Sequence, residues 1–297
     1  MRILITGGTG FIGGALIQQL LDRGDEVLVY SRDSSHFGSE KLNYINDLDD
    51  IHTGDYFDCF VNLAGQSIAG SRWTEARKAE LIESRVETTR ALFRLAHRLS
   101  RPPATLLSAS AIGYYGSQDD ERLAESAEPR DSFSHRLCAA WEDAANQFEA
   151  LGVRVCTLRL GVVLAAEGGA MDELRKSVQF GVATWMGHGR QWLSWVHRDD
   201  VVRAMLYLID SPGLTGAFNI TAPEPVTNRD FCEQLRRHRS TFIALPIPGF
   251  VMRLALGEMA DELLLQGQRV IPRRLQEAGF DFRYGRLEEA LPDMLLE

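Results

Sequence analysis

Lysine is scarce in this chain: Lys41, Lys78 and Lys176 are the whole supply among 297 residues. Cysteine is nearly as rare. Cys59, Cys138, Cys156 and Cys232 stand far apart and form no CxxC pair, so disulfide and zinc roles are not expected and a reducing cytoplasm is the natural location. No His/Asp/Glu cluster has metal-ligand spacing, and no metal is expected. No apolar run approaches the length of a membrane span. The short apolar start breaks into glycines and reads as a first strand, not a signal peptide. Net positive charge is lacking as well. The formal charge of −9 argues against general affinity for nucleic acid or anionic membrane, while leaving room for a local basic pocket. Low-complexity tracts, internal repeats and the G-x-S-x-G elbow of a hydrolase are all missing.

What is present is a globular composition, 45% hydrophobic and 25% charged. The length suits one α/β unit, or a core with a smaller lobe attached. Strand-like and helical periodicities alternate. ILIT (3–6) precedes an apolar-periodic helix from Phe11 to Leu21, which Gly24 ends, and EVLVYS (26–31) follows. The weak strand LNYI, the buried strand CFVNLAG (59–65) and a long charged helix over 74–99, with Thr74 as its N-cap, come next. ATLLSAS (104–110), a helix from Ser134 to Leu151, and VRVCTLRLGVVL (153–164) complete the series. This alternation predicts an α/β fold: a Rossmann-type, doubly wound parallel sheet with helices on both faces.

Beyond residue 165 the pattern loosens around Gly168, Gly169, Gly181, Gly187 and Gly189. WLSWVHRDDVVRAMLYLI (192–209) returns to strand then helix, with Asp199 or Asp200 helping to open the helix, and GAFNIT (216–221) is a late strand. Residues 225–297 read as helical with breaks at Pro246, Pro248 and Pro272. The expected organisation is a dinucleotide-binding domain over 1–164 and 196–224. A smaller, mainly helical lobe over 165–195 and 225–297 is expected to cover the carboxyl edge of the sheet, where ligands of such folds bind.

Thr6-Gly7-Gly8-Thr9-Gly10-Phe11-Ile12-Gly13 joins the first strand to the first helix. Gly7 allows a tight turn, Gly10 lets the backbone approach a pyrophosphate, and Gly13 lets helix pack closely on strand. The helix N-terminus, with the N–H groups of this turn, then faces the phosphates. An NAD-selective site usually carries Asp or Glu at the end of the second strand. Ser31-Arg32 stands there instead, 19 residues from Gly13 to Arg32, with Asp33 directly after. Arg32 and Ser31 suit a 2′-phosphate, so NADP(H) is the expected cofactor.

TGGTGFIG, the NLAG at 62–65 and SASAIGYYG at 108–116 resemble the extended short-chain dehydrogenase/reductase superfamily. RWTEARKAELIESRVETTRAL (72–92), SWVHRDDVV (194–202) and the segment 245–282 are similar to one atypical branch of it. That branch is an epimerase-like family with a conserved C-terminal domain of unknown function. The resemblance covers nearly the whole chain and implies that Leu63, Ala64 and Gly65 line the cofactor. It also implies a Tyr-x-x-x-Lys pair on a helix, one helical turn apart, and a serine on the neighbouring strand. Ser110 matches the serine. The pair is absent: Phe37, Thr74 and Asp172 stand four residues before the three lysines, and alignment on Trp141-Glu142 puts Ser134 and Cys138 in its place.

Tyr114 and Tyr115, which follow the Ser110 strand, are the candidate substitutes for the catalytic tyrosine. His135 adjoins the lost position but lies about 100° around the helix, and Cys138 is a poor proton donor. His197 reads as a support for the fold near Asp199. Trp185, Trp192 and Trp195 read as core between lobes or as an aromatic wall of a pocket. Two functions are compatible with these residues. One is an NADP(H)-dependent oxidoreductase or epimerase of a carbonyl compound or nucleotide-sugar, with a non-standard proton route. The other is a non-catalytic NADP(H)-binding regulator or scaffold. The helices at 74–99 and 134–151 correspond to those that pair across dimers in the superfamily, so a homodimer is expected.

Overall fold

The computed structural model describes residues 1–32, 38–169, 171, 182–238 and 243–295. Of the residues singled out from sequence, Asp33, Phe37, Asp172, Lys176 and Gly181 lie outside the described residues. Seven strands form the central sheet: β1 (Arg2–Thr6), β2 (Glu26–Tyr30), β3 (Leu42–Ile45), β4 (Cys59–Asn62), β5 (Thr105–Ala111), β6 (Arg154–Leu160) and β7 (Gly216–Ile220). Their order is β7-β6-β5-β4-β1-β2-β3, and every pairing is parallel. The chain direction across the sheet reverses between β1 and β4, which opens a crevice above their carboxyl ends.

Successive strand residues point to opposite faces, and both faces are covered. Ile3, Ile5, Val29 and Val61 pack with Leu16 and Leu20 of α1 (Phe11–Asp22) and with Val201, Met205 and Leu208 of α4 (Arg198–Asp210). Leu4, Phe60 and Leu106 pack on the other side with Leu92 and Leu95 of α2 (Glu75–Arg98), and with Ala145 of α3 (Phe133–Asn146). Thr74 caps α2 by accepting the Arg77 N–H, as the sequence predicts. The helix expected over 134–151 is α-helical to Asn146, and its last turn, Gln147–Leu151, is 3₁₀.

The run 153–164 is not one strand. Gly161 breaks it, and Val162–Leu164 leaves the main sheet to pair with Trp195–His197. A Cβ at Gly161 would meet the Ser194 carbonyl at 2.5 Å, so only glycine fits this crossing. The C-terminal segment holds α5 (Asn228–His238) and α6 (Gly249–Leu256). It is helical as expected, with further helices at Arg273–Glu277 and Leu287–Met294, while Val226–Thr227, Ile243–Ile247 and Arg269–Val270 each contribute one strand to a two-stranded sheet. Asp200 does not cap α4. The His197 ring does, accepting the Asp199 N–H, while the fully buried Asp200 carboxylate accepts the N–H groups of Arg283 and Tyr284 at 2.9 and 2.8 Å. That carboxylate pins the chain at Arg283–Tyr284 to the start of α4.

Candidate functional site

The glycine turn takes the conformation its residues permit. Gly7 has φ +72°, and a Cβ there would strike the Leu63 carbonyl carbon at 2.6 Å. A Cβ on Gly13 would lie 2.3 Å from the Gly7 oxygen. Gly10 differs. A Cβ there would meet the Gly7 oxygen at 3.2 Å and otherwise face open space. Gly10 is the N-cap of α1, and no side chain caps that end. The first N–H groups of α1 therefore stand without a side-chain acceptor at an open groove, the arrangement that fits a phosphate.

The groove encloses about 560 Å³ and is lined by Gly7, Thr9, Gly10, Ser31, Arg32, Leu63, Ala64 and Gly65. It thus brings together the glycine turn, the Ser31-Arg32 end of β2 and the loop after β4, as the sequence predicts. Phe11, Ile12 and Gly13 lie behind it. Phe11 packs under Gly168 and Gly169 with the Arg198 guanidinium 5.0 Å from its ring centre, Ile12 joins the core, and Gly13 is buried. The sequence reading missed the opposite wall, formed by Gln66 and by Glu80, Glu83, Ser84 and Thr88 of α2. Spacing of Glu80, Ser84 and Thr88 by four residues puts them on one face of α2, but only the tertiary arrangement aims that face at the groove. Asn62 fixes the loop that follows it. Its side chain accepts from the Thr6 hydroxyl at 2.7 Å and donates to Thr89 at 2.8 Å, tying β1, β4 and α2 together.

Ser110 sits at the carboxyl end of β5 and is 2% exposed. Its hydroxyl donates to Glu142 at 2.7 Å. Glu142 in turn accepts two bonds from Arg159, at 2.9 and 2.8 Å. Burial alone would pull the Arg159 guanidinium down, but the hydrogen bonds and charge of Glu142 more than offset it and raise its pKa. The Ser110 proton is thus engaged within the protein.

The two tyrosines separate. Tyr115, one of the two candidate catalytic tyrosines, is enclosed in the core. It is fully buried, donates to Asn219 at 2.7 Å and accepts from Arg159 at 2.9 Å. Burial, opposed by the Arg159 charge, pushes its phenol up to about 12. Tyr114 is half-buried, with the Arg159 guanidinium 3.4 Å from its ring centre. His135 points its Nδ1 at the Tyr114 carbonyl, 2.6 Å away.

Ser134 and Cys138 both face the Ser110 side of α3. A Cβ at Gly113 would touch the Ser134 Cβ at 3.0 Å and come within 3.8 Å of the Cys138 sulfur. Burial raises the Cys138 thiol to about 11. Ser134 is joined to Glu262, whose carboxylate accepts the Phe133 and Ser134 N–H groups at 2.9 Å each and the Ser134 hydroxyl at 2.6 Å. Nothing in the sequence pattern marks Glu262, which lies 128 residues from Ser134. All four cysteines are buried free thiols. Among the described residues no group of His, Cys, Asp and Glu could hold a metal, and no helix is long and apolar enough to cross a membrane. Of the three tryptophans between 185 and 195, Trp195 is fully buried in core, whereas Trp192 and Trp185 are half-exposed beneath Arg269 and Arg229.

The sequence pattern of the NAD dependent epimerase/dehydratase family matches residues 3–221, and that of a domain of unknown function, DUF1731, matches residues 247–294. The chain is 35% identical over 302 residues to the epimerase family protein YfhF of Bacillus subtilis, covering 100% of this chain and 99% of that one. It is 38% identical over 291 residues to the epimerase family protein Mb2239 of Mycobacterium bovis, covering 97% and 96%. Among solved structures, the human epimerase family protein SDR39U1 with NADPH superposes with a TM-score of 0.88 at 30% identity, over 99% of each chain. A nucleoside-diphosphate sugar epimerase from Corynebacterium glutamicum gives 0.81 at 30% identity, over 99% of this chain and 58% of that one. Sheet order, glycine turn and full-length similarity agree, and the chain belongs to the NAD-dependent epimerase/dehydratase family, in the branch that carries the DUF1731 domain at its C-terminal end.

Proposed function

We propose that this protein binds NADP(H) and is an oxidoreductase or epimerase acting on a carbonyl compound or nucleotide-sugar in the cytoplasm, as a homodimer. The observation that carries the reading is the groove itself. An uncapped helix N-terminus, the open face of Gly10, and Ser31-Arg32 at one end form a cradle for a dinucleotide with a 2′-phosphate. The human relative solved with NADPH supports the same cofactor. When bound, the nicotinamide would supply a hydride to a carbonyl carbon or take one from the carbon of an alcohol.

The chain's own residues would orient the substrate. Ser110, its hydroxyl donating to Glu142, would offer its oxygen as an acceptor to a substrate hydroxyl. Tyr114 is the tyrosine with access to solvent and the better candidate for moving a proton. The test is direct titration with NADPH and NADH, followed by NADPH oxidation across a panel of carbonyl compounds. Tight NADPH binding with turnover of some carbonyl is expected.

A second reading, a non-catalytic NADP(H)-binding regulator, is favoured by one observation. The position of the superfamily tyrosine is filled by Ser134, and its hydroxyl is committed to Glu262. NADPH binding with no oxidation across the panel would select that reading.

A further inference from the structure

Two arginines are buried around α3, and they differ in their partners. Arg159 is paired with Glu142 on two nitrogens. Arg85, on the inner face of α2 and 9% exposed, has no carboxylate partner among the described residues. Its Nη1 donates to the Leu81 carbonyl at 3.0 Å and its Nη2 to the Gln66 carbonyl at 2.9 Å, while its Nε has no acceptor. Its Cζ lies 5.2 Å from the Trp141 ring centre. A buried cation without a counter-charge is costly to keep, and an apolar side chain of similar length would pack a helix better. The two carbonyl bonds and the Trp141 ring leave that charge without a counter-ion among the described residues.

A Cβ at Gly65 would come within 3.0 Å of the Arg85 Cζ, so the guanidinium lies directly beneath a residue that lines the groove. The groove runs from Ser31 and Arg32 at β2, past Gly7 and Gly10 at β1, to Gly65 after β4. With the 2′-phosphate at Arg32, the β4 end receives the other half of the dinucleotide. Arg85 also lies against Trp141, which is three residues along α3 from Cys138, the position from which the lysine is missing.

We propose that Arg85 is a cofactor-binding residue, which supplies from α2 the positive charge and hydrogen-bond donors for the nicotinamide-side ribose that no lysine supplies from α3. The inference rests on the dinucleotide reading above. It explains why glycine stands at position 65, where any side chain would press on the guanidinium, and why the cation has no counter-ion of its own.

The experiment titrates the full-length wild type, Arg85→Met and Arg85→Lys with two probes, NADP+ and adenosine 2′,5′-bisphosphate, and records thermal melts without ligand. The bisphosphate carries the adenosine half and lacks the nicotinamide riboside. Arg85→Met is expected to bind NADP+ roughly tenfold to a hundredfold more weakly, the worth of a charge-assisted hydrogen bond. It should bind the bisphosphate as the wild type does, and its ligand-free melting temperature should be equal or higher. Arg85→Lys should recover part of the NADP+ affinity. Unchanged NADP+ binding in Arg85→Met overturns the proposal. So does an equal loss for both probes with a lower melting temperature, which would make Arg85 a packing residue. If the wild type binds neither probe, the dinucleotide reading itself fails and takes this one with it.

Discussion

The Ser134 hydroxyl and the Glu262 carboxylate are 2.6 Å apart, a contact that joins the start of α3 to the C-terminal segment. Glu262 also accepts the Phe133 and Ser134 N–H groups, so it serves as an N-terminal cap delivered from a distance. A negative charge there is further favoured by the helix dipole. Replacing Glu262 by Ala should destabilise the fold by about 1–3 kcal/mol, and Ser134→Ala by about 1 kcal/mol, because the latter keeps both N–H bonds. Urea denaturation of the two variants checks the order; a larger loss in Ser134→Ala would contradict it.

Arg32 should set cofactor preference. Wild type is expected to favour NADPH over NADH by roughly 1–3 kcal/mol, and Arg32→Ala to erase most of that difference. Titration of both cofactors against both proteins measures it, and equal affinities in the wild type would remove the basis for the NADP(H) assignment.

Gly10 and Gly13 should fail in different ways. A Gly10 Cβ would crowd only the Gly7 oxygen, at 3.2 Å, so Gly10→Val should still fold, with at most a small loss of stability, and lose dinucleotide binding. The Gly13 Cβ direction runs into the Gly7 oxygen at 2.3 Å, so even Gly13→Ala should lose stability, by about 1–3 kcal/mol. Melting curves alongside NADPH titration separate the two outcomes.

The Glu142–Arg159 pair should behave as a buried charge pair. Glu142→Gln leaves Arg159 uncompensated and should cost about 3–5 kcal/mol, whereas Ser110→Ala leaves the pair intact and should cost about 1 kcal/mol. Guanidinium denaturation reads both. A mild Glu142→Gln would mean that water or another acceptor neutralises Arg159.

His197 predicts an acid-side loss of stability. The ring is 2% exposed, bonded to Asp293 at 3.1 Å, and stacked on Tyr284. Burial lowers its pKa below the ordinary 6.5, although Asp199 and Asp293 pull the other way. Below about pH 6.5 the unfolded chain therefore binds a proton that the folded chain refuses, and stability falls as pH drops from 6.5 towards the lowered folded value. In His197→Asn this component should vanish, so the gap between variant and wild type should narrow on acidification. Denaturation at a series of pH values from 5 to 8 tests it; a gap that widens towards low pH would show the ring to be protonated in the fold.

By itself the sequence determined the α/β class, the glycine turn and the cap of α2. These are local matters. Strand and helix periods, a tight turn that needs glycine, and a threonine before a helix act over a few residues. Arg32 after β2 and the missing Tyr-x-x-x-Lys pair were legible for the same reason, since each is a spacing along the chain. Tertiary structure decided what meets across it. Tyr114 and Tyr115 are adjacent in sequence, yet one is half-exposed and the other fully buried on Asn219, a partner 104 residues away. Glu262 reaches Ser134 over 128 residues, and Arg85 gains its place beneath Gly65 from the packing of α2 against the β4 loop. No period or spacing encodes such meetings. They follow from how whole elements dock, and docking is set by the summed burial of both faces of the sheet rather than by any short motif.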